Sequence, residues 1–229
     1  MNAIRRKTIQ GDSVKKTKPL STMRPFAFLC CLIFLAAAGC GSGSGPEAAS
    51  SDALPGIAEM LSEKVLGDPN APITIIDYSA LTCPHCADFH LNTLPRIKEK
   101  YIDTGKAKLV YRDFPFNRAG LTASMLARCS TEADYFGALE LMYRNQASWA
   151  GDTDPEKALV DILGMSQKKA DACLSDKALE DGIQAIQLGG QQSYGVNATP
   201  TFIINGQKIV GSQPFADFDR VLEALSPQL

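Results

Sequence analysis

The hydrophobic positions of the chain change period several times, and each change predicts a new element. Residues 73–78 (ITIIDY) form a mostly β-branched run, which predicts a buried strand. Apolar positions then recur about every 3.6 residues from Ala87 to Tyr101, which predicts a helix with a kink at Pro95. Residues 107–114 (AKLVYRDF) alternate and predict a second strand. A strand, a crossover helix and a second strand build a parallel pair.

The second half of the chain predicts helices first and then strands again. Helical stripes without a convincing strand run from residue 117 to 194, so this segment is predicted to be a block of short helices. Two strands are predicted at 201–204 and 208–210, because the Asn-Gly dipeptide at 205–206 is a strong hairpin turn. Residues 215–225 carry one apolar helical face. The predicted α/β order is βαβ, helical block, ββα.

The amino-terminal segment has the pattern of an export signal. An apolar run from Phe26 to Ala38 follows a basic stretch and is too short to span a bilayer comfortably. It ends in Ala-Ala-Gly before Cys40, which resembles the lipobox of bacterial lipoproteins. We therefore expect residues 1–39 to be a signal peptide, with Met23 as an alternative start, and Cys40 to be lipidated. A signal without lipidation and an uncleaved anchor are the alternatives.

Composition and charge change after the signal. Residues 1–39 hold seven of the 23 Lys and Arg residues but only one of the 25 Asp and Glu residues. The rest of the chain therefore carries a net charge of −8, so nucleic acid and anionic lipid headgroups are poor partners. Small polar residues dominate positions 41–51, which predicts a flexible tether over 40–57. The folded part is predicted at 58–229, a suitable length for one domain.

Export changes how the seven cysteines are interpreted, because disulfides persist outside the cytoplasm. Cys30 and Cys31 belong to the signal, and Cys40 is the predicted lipidation site. Four cysteines remain in the predicted domain: Cys83, Cys86, Cys129 and Cys173. Four cysteines allow three pairings, and the sequence alone does not choose among them.

The tetrapeptide Cys83-Pro84-His85-Cys86 predicts redox chemistry. Proline favours the first position of a helix, so Cys83 becomes the N-cap residue. Its thiolate would face the positive end of the helix, which lowers the pKa of a thiol, and an imidazolium at His85 would add to the effect. A thiolate of low pKa is a good leaving group and makes the oxidised pair a stronger oxidant. Cys86 would then be the resolving thiol.

Three other interpretations of the motif are weaker. A c-type haem needs histidine directly after the second cysteine, where Ala87 stands. A structural zinc site needs four ligands, and Cys83, Cys86 and His90 give three at best. An inert structural disulfide across two residues would be strained. His90 is expected to be an ordinary residue of the helix surface.

The stretch DYSALTCPHC at 77–86, followed by ATPTF at 198–202, resembles the DsbA family of periplasmic disulfide oxidoreductases. The CPHC tetrapeptide matches the active site of that family, and the later stretch looks like its cis-proline loop. The similarity covers nearly all of residues 58–229. It therefore implies a thioredoxin-like fold with an inserted helical block at about 117–194.

The resemblance also implies roles for individual residues. Asp77 would be a buried acid beneath Cys86 that exchanges a proton with it, and a solvent-facing carboxylate is the alternative. Pro200 would be cis and would lie beside the dithiol. The backbone of Thr199 would bind an extended substrate peptide as an added strand. If Cys83 pairs with Cys86, the remaining two cysteines form a structural disulfide, Cys129 with Cys173.

The function implied by the resemblance is that of a monomeric dithiol oxidase in the periplasm. It would oxidise reduced exported proteins and be reoxidised by a DsbB-type membrane protein, with no metal or organic cofactor. Threonine at position 199 is common in disulfide isomerases of this fold, so a reductase or isomerase is one alternative. A metal-delivery module that uses Cys83 and Cys86 is another.

Overall fold

The computed structural model describes residues 52–131 and 133–226. The predicted signal peptide, the alternative start at Met23 and the lipidation site at Cys40 lie outside these ranges and stay predictions. None of the helices within the described ranges has the length and apolar character needed to cross a membrane.

Five strands of the described residues form one sheet in the order β1-β3-β2-β4-β5. The strands are β1 (Lys64–Leu66), β2 (Ile73–Ser79), β3 (Ala107–Asp113), β4 (Thr201–Ile204) and β5 (Gln207–Val210). β2 and β3 are parallel, as the βαβ pattern predicts, and all other neighbours are antiparallel. The central strand β2 therefore has a hydrogen-bonded partner on each side, and its carboxyl end opens the turn that carries the CPHC motif.

The helix after β2 runs through residues 84–102 and alternates between α-helical and π-helical turns. α2 (Pro84–Asp88) and α3 (Leu94–Ile97) are α-helical, whereas Phe89–Thr93 and Lys98–Ile102 are π-helical. The disturbance expected at Pro95 takes this form, because proline has no N–H to donate to the preceding turn. The neighbouring Leu94 N–H bonds to the Phe89 carbonyl, five residues back.

The segment predicted as a helical block is helical as expected. It contains α4 (Arg118–Arg128), α5 (Tyr135–Arg144), α6 (Glu156–Leu163), α7 (Gln167–Leu174) and α8 (Lys177–Tyr194). Asn117 caps α4 because its side chain accepts the Gly120 N–H at 2.8 Å. Asp176 caps α8 in the same way, and Gly195 ends α8 in the left-handed conformation, with φ of 59°. After β5, α9 (Phe215–Leu225) packs its apolar face against α3.

Two short elements at the start of the fold were not predicted, α1 (Ile57–Met60) and β1. β1 has three residues, too few to show an alternating pattern. It also contains Lys64, which is only 2% exposed. The Lys64 ammonium donates to the Glu59 carbonyl at 2.9 Å and to the Ser62 hydroxyl at 3.2 Å. Burial of this lysine thus depends on local hydrogen bonds that hydrophobic periodicity does not reveal.

Cys129 and Cys173 form a disulfide that joins the end of α4 to α7, with an S–S distance of 1.99 Å and a Cα–Cα distance of 6.1 Å. Both residues are fully buried in the helical block. The bridge closes a loop with a sequence separation of 44 residues. In the chain-entropy model, closing a loop of that length stabilises the fold by about 4 kcal/mol.

We expect mild reduction of the native protein to release two reactive thiols, those of Cys83 and Cys86. The Cys129–Cys173 bridge is shielded from solvent, so its thiols should appear only after a denaturant is added. Thiol titration with an aromatic disulfide before and after denaturation measures both counts. Four rapidly reacting thiols in the native protein would contradict a shielded structural bridge.

Candidate active site

The dithiol lies at the turn between β2 and α2. Cys83 is the N-cap residue of α2 in an extended conformation (φ −87°, ψ 120°), and Pro84 stands in the first helical turn. The Cys83 carbonyl accepts the N–H groups of Cys86 and Ala87, each at 3.1 Å. The structure therefore places Cys83 at the cap position that its sequence context predicts.

Gln146 fixes this turn from the helical block. Its side-chain Nε2 donates to the carbonyl oxygens of Leu81 at 2.7 Å and Cys83 at 3.0 Å. One side chain thus pairs two carbonyl groups on either side of Thr82, and it ties the catalytic turn to the segment that follows α5. Gln146 is not among the predicted site residues, because no local pattern links a glutamine to a turn 63 residues earlier.

The two cysteine sulfurs have opposite environments and opposite acidities. Both are free thiols in this structure; Cys83 is half-buried and Cys86 is fully buried. Hydrogen bonding with the Cys86 thiol is the largest cause that lowers the pKa of Cys83, to about 5. Burial is the largest cause that raises the pKa of Cys86. At neutral pH, Cys83 is therefore the thiolate and Cys86 remains a thiol.

The helix N-terminus contributes to the acidity of Cys83 but does not dominate it. The backbone N–H groups of Cys86 and His85 lower the Cys83 pKa, after the larger effects of the Cys86 thiol and of Thr199 and against a raising effect of burial. The exposed His85 side chain adds to the lowering of the Asp88 pKa, after hydrogen bonds from Asn92 and Ser212. The expected contribution of a His85 imidazolium stays a prediction.

The loop before β4 lies directly beside Cys83. The Thr199-Pro200 peptide bond is cis. As a thiol, Cys83 Sγ donates to the Thr199 carbonyl oxygen at 3.4 Å. The loop is held by a bond from the Gly211 N–H to the Pro200 carbonyl at 2.7 Å and by the Thr201 hydroxyl, which donates to the Ala198 carbonyl at 2.7 Å. Residues 116 positions apart in the sequence thus meet at one sulfur atom.

Asp77 lies in β2 with its side chain fully buried. The Ser79 hydroxyl donates to its Oδ1 at 2.5 Å, and His90 Nε2 lies 2.7 Å from its Oδ2. The negative charge of Asp77 is one of the causes that raise the pKa of Cys86, after burial and the hydrogen bond with Cys83. The alternative of a solvent-facing carboxylate is therefore wrong, and Asp77 lies close enough to Cys86 to influence its proton.

The expectation that His90 lies on the helix surface is wrong. Its side chain is only 6% exposed and pairs with Asp77. The imidazole ring stacks on Tyr143 of α5, with ring centroids 4.6 Å apart, and meets Tyr111 of β3 edge to face at 5.5 Å. The helical block covers this face of the helix, and the periodicity of a single helix does not show what packs against it. The spacing Cys86-x-x-x-His90 was the available signal, because residues four apart share a helical face.

The described residues contain no group of three or more His, Cys, Asp or Glu side chains arranged to hold a metal ion. His90, which the sequence offered as a third zinc ligand beside Cys83 and Cys86, is hydrogen-bonded to the Asp77 carboxylate.

A CxxC dithiol at the start of the helix in a βαβ unit, with a cis-proline loop against the first sulfur, defines a thioredoxin-like thiol-disulfide oxidoreductase. Residues 60–224 match the family model described as Thioredoxin. The chain therefore belongs to the thioredoxin family and to its DsbA-like group.

Three relatives illustrate this placement. The crystal structure of Wolbachia pipientis alpha-DsbA1 has a TM-score of 0.68 and 34% identity, covering 73% of this chain and 92% of that one. A provisionally named protein-disulfide oxidoreductase of Rickettsia bellii is 32% identical over 148 residues, which is 63% of this chain and 57% of that protein. Disulfide bond formation protein D of Bacillus subtilis is 25% identical over 191 residues, 78% of this chain and 82% of that one. The match thus spans little more than half of the Rickettsia relative.

Proposed function

We propose that this protein is a dithiol oxidase that introduces disulfides into exported proteins through Cys83 and Cys86. The pKa of Cys83, lowered to about 5, carries this proposal. A thiolate that is stable at neutral pH stabilises the reduced dithiol relative to the disulfide. An enzyme whose reduced form is favoured passes its disulfide to other thiols, which is the direction of an oxidase.

The reaction has two exchange steps. A substrate thiolate attacks Cys83 Sγ of the oxidised enzyme, the Cys83–Cys86 bond breaks, and its electron pair leaves on Cys86 Sγ. A second substrate thiolate then attacks the substrate sulfur of the mixed disulfide, and Cys83 leaves as a thiolate. The substrate has lost two electrons and the enzyme has gained them. Asp77 exchanges the proton of Cys86, and the Thr199 backbone binds the substrate as an extended strand beside Cys83.

The cellular setting belongs to the same proposal. The protein works as a monomer in the periplasm, held at the membrane by a lipid on Cys40, and a DsbB-type membrane protein restores its disulfide. The apolar run and the small residues before Cys40 support export and lipidation. Exchange between thiols needs neither a metal nor an organic cofactor.

Two measurements test the oxidase assignment. We expect the ultraviolet thiolate absorbance of the reduced protein to titrate with a pKa near 5, and a Cys83→Ser variant to lose this transition. Equilibration with glutathione should show a dithiol that is more oxidising than the glutathione pool. A Cys83 pKa close to that of free cysteine, about 8.5, would overturn the proposal.

The same shift predicts how stability depends on pH. A lowered pKa stabilises the folded, reduced protein fully above the ordinary cysteine pKa of about 8.5, and this advantage is lost as pH falls through about 5. The reduced form should therefore unfold at higher denaturant concentration than the oxidised form near pH 8, and the difference should shrink toward pH 4. If the oxidised form is more stable than the reduced form near pH 8, the prediction is contradicted.

Thr199 supports a second candidate, a reductase or isomerase. A hydrogen bond from the side chain of Thr199, the residue before the cis-proline, lowers the pKa of Cys83, so the identity of this residue affects the attacking sulfur. A reductase or isomerase would have a much lower reduction potential than an oxidase. It would also reactivate a substrate with scrambled disulfides faster than it oxidises a fully reduced one. Glutathione equilibration and a scrambled-substrate assay distinguish the two functions.

A further inference from the structure

We propose that His90 passes the proton that Cys86 gains or loses between Asp77 and solvent in an adjoining cavity. His90 is then a positioning residue of the dithiol, because it acts on Cys86 through Asp77. This inference rests on the proposed function, since it concerns the step in which Cys86 leaves or attacks.

The first support is the arrangement of Cys86, Asp77 and His90. His90 follows Cys86 by four residues in the helix at 84–102, and four-residue spacing places two side chains on one helical face. Both side chains act on the same carboxylate: His90 bonds to Asp77 Oδ2, and the Asp77 charge acts on Cys86. The Ser79 hydroxyl occupies Oδ1. Among the described side chains that bond to Asp77, His90 is therefore the one through which a proton can pass toward the protein surface.

The second support is the rigid placement of the imidazole. The Tyr143 ring stacks on it with an interplanar angle of 24°, and Phe89 and Tyr111 contact it edge to face. The Tyr143 and Tyr111 hydroxyl groups form a hydrogen bond with each other at 3.2 Å, so each buried phenol has a hydrogen-bond partner. The histidine ring is thus held in one orientation, with Nε2 directed at Asp77.

The third support is a cavity on the side of His90. This cavity has a volume of about 400 Å³, and its lining includes His90 and the apolar side chains of Leu94 and Phe136. Lys98, Glu140 and Arg144 also line it, and their side chains are 45%, 56% and 60% exposed. The cavity therefore reaches solvent and is large enough to hold water. Asp77 itself is fully buried, so His90 is its connection to this space.

The proton step balances without a further reactant. When the Cys83–Cys86 bond breaks, its electron pair leaves on Cys86 Sγ, where burial disfavours a thiolate. The sulfur takes one proton from the Asp77–His90 pair, and the pair takes one proton from water in the cavity. In the reverse direction, Cys86 loses its proton along the same route before it attacks Cys83. The pair is unchanged over either step.

The titratable and charged groups around His90 come from each element packed against it. They are Asp77 of β2, Cys86 of α2, Tyr111 of β3, Tyr143 of α5, and Lys98, Glu140 and Arg144 at the cavity. Burial raises the pKa values of Tyr111 and Tyr143 well above the ordinary range, so both phenols stay neutral at physiological pH. Imidazole is the side chain whose charge ordinarily changes between about pH 5 and 8. The chain contains a second histidine, His85, beside Cys83, so position 90 is tested by comparing the pH profiles of proteins that all retain His85.

The test compares His90→Gln, His90→Phe and Tyr143→Phe with the unmodified protein. Glutamine keeps an N–H donor for Asp77 but cannot titrate, whereas phenylalanine keeps only a ring. The assay follows a single-cysteine peptide thiol that attacks the oxidised enzyme, with rates corrected for ionisation of the peptide. We expect the wild-type rate constant to fall with rising pH, because the departing Cys86 sulfur draws its proton from water through His90 and Asp77. In His90→Gln the rate constant should change less with pH and be on the order of 10²-fold slower near pH 6.

Controls separate proton transfer from packing. Tyr143→Phe keeps the ring on His90 and should keep the wild-type pH profile. A His90→Gln variant with the wild-type profile and rate would overturn the proposal, because a donor alone would then suffice. If His90→Phe fails to fold, the glutamine variant still decides the question.

Failure of the oxidase assignment is recognised separately. It would appear as a low reduction potential of the wild-type dithiol. The pH profiles of wild type and His90→Gln could still be compared with reduced enzyme and glutathione disulfide, because Cys86 must then lose the same proton. If wild type and His90→Gln had the same pH profile in both the oxidising and the reducing assay, the role of His90 would be refuted, and the oxidase assignment would not be affected.

Discussion

Replacement of Cys86 with serine is expected to leave a substrate peptide covalently attached to Cys83. In the wild type, a peptide joined to Cys83 is released when Cys86 attacks the Cys83 sulfur, since Cys86 is one helical turn away. Serine fits the same buried position but cannot carry out thiol-disulfide exchange. Each Cys86→Ser molecule should therefore accumulate one mixed disulfide, and catalytic turnover should fall below detection.

The mixed disulfide can be formed with a single-cysteine peptide activated as an aromatic disulfide. The Cys83 thiolate attacks the peptide sulfur and releases the aromatic thiol, whose colour reports the first step. Intact mass spectrometry then detects the adduct, which should persist in Cys86→Ser and be absent from the wild type at completion. A Cys83→Ser variant should release no aromatic thiol at neutral pH. Rapid loss of the peptide from Cys86→Ser would show that Cys86 is not the resolving thiol.

The order of elements could be predicted because each long element has a clear period. β2, β3 and the Asn-Gly hairpin between β4 and β5 carry local signals in their own residues. β1 and α1 do not, because they are only 3 and 4 residues long, and Lys64 of β1 is buried through bonds to neighbouring carbonyl and hydroxyl oxygens. The π turns around Pro95 follow from a missing N–H, but their exact extent depends on how the helix packs.

The residues of the candidate site also divide into those with a local sequence signal and those without one. Cys83 and Cys86 could be identified because proline between them fixes the start of the helix. Gln146 and His90 could not, since each acquires its role from a contact between the helical block and the turn and helix that follow β2. His90 illustrates the physical reason: helical spacing predicts which side chains share a face, but the sequence of the helix does not say whether α5 or water covers it.

The helical block also contacts the sheet itself, through the buried ion pair of Arg128 in α4 and Asp113 in β3. Arg128 is 1% exposed and Asp113 is fully buried, and Arg128 Nε donates to Asp113 Oδ2 at 2.6 Å. Arg128 Nη1 also donates to the carbonyl oxygens of Met60 at 2.7 Å and Ser62 at 3.3 Å. Asp113 Oδ1 is buried without a hydrogen bond. The arginine is therefore the main compensation for the buried Asp113 charge, and it also holds the segment between α1 and β1.

Arg128→Met is expected to lower the free energy of unfolding by about 3–5 kcal/mol, because it leaves the Asp113 carboxylate buried without its partner. Urea denaturation at neutral pH measures this loss. Arg144→Met is the matched control: its ion pair with Glu140 is exposed at both ends, so its loss should cost between 0 and about 1 kcal/mol.

The double variant Asp113→Leu/Arg128→Met decides whether the unpaired charge is the cause. It removes the buried carboxylate together with its partner, so it should recover at least about 2 kcal/mol of the loss, because well-packed apolar side chains can replace a buried ion pair. The carbonyls of Met60 and Ser62 still lack their donor, so recovery should be incomplete. If the double variant is no more stable than Arg128→Met, the loss comes from the carbonyl contacts and not from the Asp113 charge. Such a result would mean that Arg128 stabilises the fold mainly through its hydrogen bonds to the segment before β1.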